Sequence, residues 1–188
     1  MFIIILGAGE VGYNLAKLLS YEKHDIVIIE PNAGRAKRAR ENLDIQVFEG
    51  TGSSPSDLKE ASIEKADMVV AVTNNDEVNL IACVIAGKFN VPTKIARVKN
   101  REFTREECVL NAKSLGIDLI IHPESEVAKA VVNLLKLTAA TDILEFADGK
   151  ILLLGIQLDK NCELLGKSLV EVAGSVENLT FRTVAILR

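Results

Sequence analysis

The sequence predicts an α/β protein built on a doubly wound parallel sheet, with a smaller α+β part at its carboxyl end. Two observations lead to that class. Apolar runs alternate with amphipathic stretches six times over residues 1–138, and a glycine-rich turn follows the first run. Six strands that are each followed by a helix must pair in parallel through crossovers, and continuous apolar strands are typical of a sheet covered on both faces. We therefore expect a Rossmann-like sheet in the simplest strand order, 3-2-1-4-5-6.

The elements follow one another in a regular order. The predicted strands cover residues 2–6, 25–30, 46–50, 67–73, 93–98 and 118–122. The predicted helices cover residues 11–20, 33–42, 54–62, 76–90, 104–116 and 125–137. Ser54 followed by Pro55 is a typical helix start, Asp76 and Thr104 are the expected N-caps of later helices, and Gly116 is an expected helix stop.

The alternation ends near residue 141. Two strands are predicted around a turn at Asp148 and Gly149, followed by a short helix over 166–173 and a strand over 180–188. These residues are too few for a core of their own, so we expect a truncated α+β subdomain. The sequence thus predicts a Rossmann-like domain over 1–138 and a partial second domain over 139–188.

Composition limits the class of partner. The chain has 188 residues, of which 48 % are hydrophobic, enough to bury a core, and its net charge is −4. An acidic chain lacks the basic face that a nucleic-acid partner needs. One basic cluster, Arg35, Lys37, Arg38 and Arg40, is interpreted either as a solvated helix face or as a phosphate patch.

The cysteines and the apolar runs indicate the compartment. Cys83, Cys108 and Cys162 lie far apart without a C-x-x-C pair, which predicts reduced thiols in a cytoplasmic protein and no metal site. No apolar run reaches the ~18 residues that span a bilayer, and the first strand begins without a basic leader segment. We expect no direct membrane insertion.

The glycine-rich turn is the first candidate site. Gly7 permits the tight turn, Gly9 lets the backbone approach a pyrophosphate, and Gly12 lets the helix pack against the sheet. The free N–H groups and the dipole of the helix start attract phosphate. A lone G-x-G-x-x-G also occurs in ordinary tight turns, but here it follows a strand and opens a helix, which favours a dinucleotide or adenine nucleotide.

Glu30 ends the second strand and is the candidate ribose ligand. Its carboxylate accepts hydrogen bonds from both ribose hydroxyls and repels a 2′-phosphate, which favours NAD(H) or ATP/ADP over NADP. Arg35 is the nearest cation that could reverse this preference, but it lies a full turn into the next helix. The alternative is an exposed acid at a strand end without a ligand.

Further polar residues gather at the carboxyl ends of the predicted strands. They are Thr51 and Gly52 after the third strand, Thr73, Asn74 and Asn75 after the fourth, and Arg97 in the fifth. A guanidinium in an apolar strand needs a partner. A phosphate and a salt bridge with Glu49 or Asp76 are the two alternatives for Arg97.

No catalytic group is predicted beside this site. His24 precedes the second strand, His122 ends the sixth at the sheet edge, and Tyr13 and Tyr21 belong to the first helix and its end. Hydride transfer to a carbonyl usually needs a positioned acid or base. Binding without chemistry is the better interpretation.

Several stretches resemble the TrkA family of RCK-domain regulators of potassium uptake. They are "MFIIILGAGEVGYNLAKLL", "IVIIE", "EGTGSS", "ADMVVAVTNNDEVNLIACVIAGK", "KIARVKN" and "IIHPESEVAKAVVNLL", and they cover roughly residues 1–138. The T-x-x-D-E-x-N pattern (Thr73, Asp76, Glu77, Asn79) and the A-R-V strand go beyond a bare Rossmann fingerprint. Residues 141–188 resemble the beginning of the family's C-terminal subdomain.

The resemblance implies a role and a set of contacts. It implies nucleotide contacts at Gly7, Ala8, Gly9, Glu10, Val11, Glu30, Thr51, Thr73, Asn74 and Arg97. The "TGSS" stretch departs from the small or acidic residue that the family often has there, which leaves that contact open. The implied ligand is NAD(H), or alternatively ATP or ADP, and its binding must favour one arrangement of the assembly over another.

The resemblance also implies the partners. They are a membrane potassium transporter subunit of the Trk type and further copies of the chain in a dimer or ring, with the protein at the inner face of the cell membrane. An apolar stripe of Val127, Val131, Leu134 and Leu135 either meets a dimer partner or covers the chain's own sheet. The expected function is that of a regulatory subunit without enzymatic activity. The alternatives are an NAD-dependent oxidoreductase domain without its substrate domain and an oligomerisation module with a vestigial site.

Overall fold

Two compact units make up the protein, Met1–Lys129 and Ala130–Arg188, and each is described by itself. The computed structural model describes residues 1–105, 108–136, 142–146, 150–162, 164–174 and 182–186. The division into domains 1–138 and 139–188 stays a prediction.

A six-stranded parallel sheet forms the centre of the first unit. Its strands are β1 (Phe2–Leu6), β2 (Asp25–Ile29), β3 (Gln46–Phe48), β4 (Met68–Ala71), β5 (Thr93–Arg97) and β6 (Leu119–Ile121). They lie in the order β3-β2-β1-β4-β5-β6, which confirms the predicted topology. Two βαβ halves meet between β1 and β4, where such sheets open a crevice for ligands.

Helices cover both faces of this sheet. They are α1 (Glu10–Tyr21), α2 (Ala33–Asn42), α3 (Pro55–Glu60), α4 (Asp76–Lys88) and α5 (Ala112–Leu115), while α6 (Pro123–Lys136) begins after β6 and continues into the second unit. Successive side chains of a strand point to opposite faces, so Ile3 and Ile5 pack with α1 and α2, whereas Ile4 and Leu6 pack with α3, α4 and α5. The all-apolar strand FIIIL is therefore explained by burial on both sides.

The start of α4 corrects one prediction. Asn75 caps this helix, since its side-chain oxygen accepts the Val78 amide at 2.8 Å. Asp76 is the first helical residue, and its carboxylate accepts the backbone amides of Lys99 and Asn100 at 2.9 and 2.8 Å. The acid thus fixes the loop after β5 instead of capping its own helix.

The helix predicted over 104–116 is shorter than expected. Thr104 ends a 3-10 turn (Arg101–Thr104), and α5 begins only after Asn111, whose side chain accepts the Ser114 amide at 2.9 Å. Gly116 ends α5 in the left-handed conformation at φ 66°, as predicted, while residues 106–107 lie outside the described chain. Ser54 caps α3 with Pro55 at the first helical position, which is also confirmed.

The second unit contains an antiparallel hairpin and a short helix. β7 (Asp142–Phe146) pairs with β8 (Ile151–Gly155), and α7 covers Leu169–Gly174. The predicted turn at Asp148 and Gly149 lies outside the described residues. Of the strand predicted over 180–188, residues 182–186 are described and have neither helix nor strand.

Candidate functional site

The turn between β1 and α1 needs glycine at its first position. Gly7 has φ +97°, a left-handed conformation that other residues rarely adopt, and an added Cβ would lie 3.2 Å from Thr73. The Gly7 amide donates to the Ile29 carbonyl at 2.9 Å. The turn is thereby fixed to the end of β2.

The other two glycines of the turn differ in what surrounds them. An added Cβ at Gly12 would collide with the Gly7 carbonyl oxygen, because α1 packs directly against the turn. An added Cβ at Gly9 would have nothing within 4 Å. Gly12 therefore serves packing, whereas the space above Gly9 is open to a ligand.

The first turn of α1 offers backbone donors. Gly9 is the N-cap and has no side-chain cap hydrogen bond, and the first intrahelical bond runs from the Tyr13 amide to the Gly9 carbonyl at 2.9 Å. The amides of Glu10, Val11 and Gly12 precede that bond and have no acceptor within the helix. Together with the helix dipole they form a site for an anion.

Glu30 lies beside this turn and is buried, with 3 % of its surface exposed. One carboxylate oxygen accepts the Ala8 amide at 2.6 Å and the other accepts the Asn32 amide at 2.9 Å. The alternative of an exposed strand-end acid is therefore wrong. The Ala8 amide donates to Glu30, so the amides of the turn that are open to a ligand begin at Gly9.

Two adjoining cavities lie at this edge of the sheet, with volumes of about 300 and 210 Å³. The larger is lined by Ala8, Gly9, Glu10, Val11, Arg35, Arg38, Val72, Asn74 and Arg97. The smaller is lined by Gly7, Gly9, Ile29, Glu30, Pro31, Arg35, Thr51, Gly52, Val72, Thr73, Asn74, Asn75 and Val78. Because Gly9, Arg35, Val72 and Asn74 line both, the two form one cleft over the glycine turn. All predicted site residues except Gly12 line it.

The loop after β3 brings Thr51 and Gly52 to the cleft. The Asp57 carboxylate accepts the Thr51 amide at 2.8 Å and the Ser54 hydroxyl at 2.7 Å. These two donors, the Thr51 amide first, hold the pKa of the Asp57 carboxyl below its ordinary value of 3.8. The backbone position of Thr51 is thus fixed by an acid six residues further along the chain, and whether Thr51 contacts a nucleotide stays a prediction.

Asn79 holds the opposite wall of the cleft. Its side chain is fully buried and accepts the Thr73 amide at 3.0 Å and the Thr73 hydroxyl at 2.7 Å. It donates to the carbonyls of Thr73 at 3.2 Å and Arg97 at 2.8 Å. The asparagine of the T-x-x-D-E-x-N pattern therefore joins the ends of β4 and β5.

Arg97 does not form either predicted salt bridge within the described part of the chain. Its guanidinium donates to the Asn74 side-chain oxygen at 3.3 Å, and its buried Nε has no acceptor. Glu49 pairs with Arg40 at 3.4 Å, and Asp76 accepts the backbone amides after β5. The salt-bridge alternative is wrong.

Two arginines of the basic cluster were not predicted as site residues. Arg35 and Arg38 line the cleft, whereas Lys37 pairs with Glu41 at 3.8 Å and Arg40 contacts Glu49. The signal was available in the sequence. Residues three apart share a helix face, so 35 and 38 face the same way.

The histidines lie outside the cleft. His122 follows β6, is buried, and has its Nδ1 3.7 Å from the Glu124 carboxylate, while His24 lies 3.6 Å from Glu22. Across the described residues, His, Cys, Asp and Glu side chains form no group of three that could hold a metal ion.

The apolar stripe on α6 is solvent-exposed where it is described. Val127, in the first unit, exposes 63 % of its surface, so its side chain does not cover the sheet of that unit, and Val131, in the second unit, exposes 50 %. The side chains of Leu134 and Leu135 lie outside the described part. None of the described helices combines the length and the apolar character that crossing a bilayer requires.

Comparison with known proteins points in one direction. The TrkA-N domain family matches residues 3–123. The Trk system potassium uptake protein TrkA of Azorhizobium caulinodans is 36 % identical over 191 residues, which cover 100 % of this chain and 42 % of that protein. The chain thus spans about two fifths of the length of this curated relative.

Solved structures share the fold. The TrkA-N domain of the inner membrane protein ybaL from Escherichia coli superposes with a TM-score of 0.63 at 21 % identity, covering 71 % of this chain and 96 % of that one. A GsuK channel bound to NAD superposes with a TM-score of 0.61 at 19 % identity, covering 78 % of this chain and 25 % of that one.

Proposed function

The chain belongs to the TrkA-N domain family, and on that premise we propose that it is the nucleotide-sensing part of a regulatory subunit for potassium uptake. The relative from Azorhizobium caulinodans, which matches the whole chain, is a potassium uptake protein of the Trk system. The proposed ligand is NAD(H), with ATP or ADP as the alternative. In this proposal the bound nucleotide changes the arrangement of the assembly that controls the membrane subunit.

The open space above Gly9 is the observation that carries the binding part of the proposal. An added Cβ there meets nothing within 4 Å, although the neighbouring Gly7 and Gly12 are tightly packed. Free amides at the start of α1 face the same cleft. A pyrophosphate or a terminal phosphate would bring acceptors to these donors, so the residues present fit a nucleotide.

Glu30 supports the choice of nucleotide. Each of its oxygens accepts one backbone amide, and a carboxylate oxygen has a second lone pair that could accept a ribose hydroxyl. A 2′-phosphate would add negative charge beside a buried carboxylate that cannot turn away from it. NADH and the adenine nucleotides are therefore preferred over NADPH, with the buried charge of Glu30 outweighing that of Arg35, which lines the same cavity.

The cleft offers little for hydride chemistry, which supports a role without catalysis. Its described lining contains Glu10, Glu30 and three arginines, but no histidine, tyrosine, lysine or cysteine. A general acid for a carbonyl substrate would have to be Glu10, which is exposed and lies 3.7 Å from Arg38. We propose that the chain binds its nucleotide and does not transform it.

The remaining parts of the proposal concern the assembly. Residues 1–138 would form the nucleotide-binding domain and residues 139–188 part of a second, RCK-type domain. The assembly would be a dimer or ring at the inner face of the cell membrane, and it would act on a Trk-type membrane subunit. The exposed valines of α6 supply an apolar surface for such contacts.

Calorimetric titration of the purified chain with NADH, NAD, ATP, ADP and NADPH tests the binding part. We expect micromolar binding of NADH or of the adenine nucleotides and much weaker binding of NADPH. Gly9→Ala is the matched variant, because it fills the open space without disturbing packed atoms. Binding by none of the nucleotides, or equal binding to Gly9→Ala, contradicts the proposal.

The regulatory part needs a separate test in cells. Chromosomal Gly9→Ala is expected to alter potassium uptake at low external potassium, measured against the unchanged chain at equal protein level. Turnover of NADH by the purified protein with small alcohols, hydroxy acids or carbonyl compounds would favour the oxidoreductase alternative instead.

A further inference from the structure

We propose that Arg35 and Arg38 of α2 act with Arg97 of β5 as a clamp that selects nucleotides by the number of their phosphate charges. The inference rests on the proposed nucleotide-binding function and adds the class of ligand: a nucleoside diphosphate or triphosphate over a monophosphate. It concerns two arginines that belong neither to the glycine turn nor to the strand ends.

The clamp follows from where the three guanidiniums lie. In the sheet order, β1 and its glycine turn lie between β2 and β4. The helix α2 follows β2 on one side of β1, and β5 lies beyond β4 on the other side. Arg35, Arg38 and Arg97 all line the larger cavity, together with Glu10 as its one acidic side chain. Three cations and one anion around the helix start give that cavity a net positive charge.

Arg38 is held at the rim of the cavity from two sides. Its guanidinium carbon lies 4.5 Å from the centre of the Tyr13 ring, and one of its nitrogens lies 3.7 Å from the Glu10 carboxylate. A cation above an aromatic face is oriented by the ring while its N–H groups remain free to donate in the plane. The arrangement keeps Arg38 near the phosphate donors of α1 and leaves donors for a ligand.

Arg35 lies where the two cavities meet. It lines both of them and forms no ion pair with any other described residue. Arg35 lies in the first turn of α2, and this position brings its side chain to the cleft. It can therefore reach a phosphate next to the ribose that Glu30 would bind.

Arg97 supplies the opposite side. Its Nε is buried without an acceptor, and its terminal nitrogen makes only a long bond of 3.3 Å to Asn74. A buried donor without a partner is costly, and a phosphate oxygen would satisfy it. Arg97 would thus bind the side of the anion that faces β5, while Arg35 and Arg38 bind the side that faces α2.

The other cations of α2 lie on a different side of the helix. Arg40 donates to the Val47 carbonyl at 3.2 Å and pairs with Glu49, and Lys37 pairs with Glu41. The basic residues of α2 therefore fall into two groups that face different sides of the helix. Arg40 provides a control with the same charge on the same helix.

Titration of the full chain with ATP, ADP, AMP and adenosine tests the clamp. We expect affinity to rise from adenosine to ATP in the unchanged protein. Arg35→Ala and Arg38→Ala should each weaken ATP binding by about fivefold to tenfold and adenosine binding by less than about twofold. Arg40→Ala should change neither, and thermal unfolding checks that each variant is folded.

Two variants of Tyr13 separate the effect of the ring that orients Arg38 from the effect of the Arg38 charge. Tyr13→Phe keeps the ring under Arg38 and should leave ATP affinity unchanged, whereas Tyr13→Ala should weaken it toward the Arg38→Ala value. Added salt should weaken ATP binding more in the unchanged protein than in Arg38→Ala, because screening acts on charges that the variant lacks.

The outcomes distinguish the two proposals. Tight binding of ATP that neither Arg35→Ala nor Arg38→Ala alters overturns the clamp and leaves nucleotide binding intact. Equal losses for adenosine and ATP also overturn it, since they indicate a contact to the nucleoside. Binding of no nucleotide by the folded protein overturns both.

Discussion

The Asn79 side-chain amide donates to the Arg97 backbone carbonyl at 2.8 Å, which joins the first turn of α4 to the end of β5. The same side chain makes three hydrogen bonds to Thr73. One buried amide therefore sets the position of two candidate ligand residues that are 24 positions apart in the sequence.

Asn79→Asp tests this bridge with almost no change in size. The carboxylate keeps the acceptor for Thr73 but loses both donors, and it faces two carbonyl oxygens without a partner. We expect the free energy of unfolding to fall by about 2–4 kcal/mol, measured in urea. Asn14→Ala, exposed on α1, is the control and should cost less than about 1 kcal/mol. An unchanged stability for Asn79→Asp would show that the bridge is unimportant.

Alanine substitutions at Gly9 and at Gly12 should have opposite effects on stability and on nucleotide binding. Gly9 has φ −67° and open space around an added Cβ, so Gly9→Ala should keep its stability within about 0.5 kcal/mol while losing nucleotide binding. Gly12→Ala would collide with the Gly7 carbonyl and should lower stability by about 3 kcal/mol or more. Thermal unfolding and calorimetry measure both. A destabilised Gly9→Ala that still binds would reverse the assignment.

Glu30→Gln removes one negative charge beside the proposed ribose position. The amide keeps one acceptor oxygen but sets its NH2 group against one of the two backbone amides that Glu30 accepts, so we expect a folded but less stable protein with weaker NADH binding and a smaller preference for NADH over NADPH. Glu41→Gln, exposed on α2, is the matched control and should leave both values unchanged. Unaltered discrimination in Glu30→Gln would show that the charge of Glu30 does not exclude the 2′-phosphate.

Asp57 should make the stability of the fold depend on pH in the acid range. Its pKa is lowered in the folded chain, so the ionised carboxylate stabilises the fold above the ordinary value of 3.8, and this contribution disappears as the pH falls through the folded value. Asp57→Asn should therefore have a lower Tm than the unchanged chain at pH 7, with the difference shrinking toward pH 3. A difference that stays constant over this range would exclude the linkage.

Cys83 should be the least reactive of the three thiols. Burial, the dominant cause, raises the pKa of its thiol to about 12, and its sulfur donates to the Ile95 carbonyl at 3.6 Å. Iodoacetamide at pH 8 should label the half-buried Cys108 and Cys162 first, as read by mass spectrometry, and Cys83 only after urea is added. Early labelling of Cys83 in the native protein would contradict its environment.

The fold was predictable because its signals are local and repeated. Doubly buried strands read as apolar runs, and Gly7, Gly9 and Gly12 mark the crossover where we propose that a nucleotide binds. Prediction failed where two neighbouring residues competed for one role. Asn75 and Asp76 can both cap α4, and only the three-dimensional position of the Lys99 and Asn100 amides decides between them.

The outline of the site was predictable for the same reason. The prediction was incomplete where it depended on the direction in which a side chain points. Strand ends brought Glu30, Thr73 and Arg97 to one edge because the topology requires it. Other side chains of the site make contacts with residues that lie 6 to 25 positions away in the sequence, namely those of Asp57, Asn79 and Arg38. Examples are the contact of Asp57 with Thr51 and that of Arg38 with Tyr13. Charge composition left a solvated face and a phosphate patch as alternatives for these arginines, because residue spacing identifies a helix face but not what that face contacts.

The two backbone bonds accepted by Glu30 bear on cofactor engineering. Exchanging the acid after the second strand for a small or neutral residue is an obvious route from an NAD-type to an NADP-type site. Here that residue also accepts the backbone amides of Ala8 and Asn32, so its removal would loosen the glycine turn along with the proposed ribose contact. A redesigned chain would have to supply two new acceptors before its altered preference could be measured.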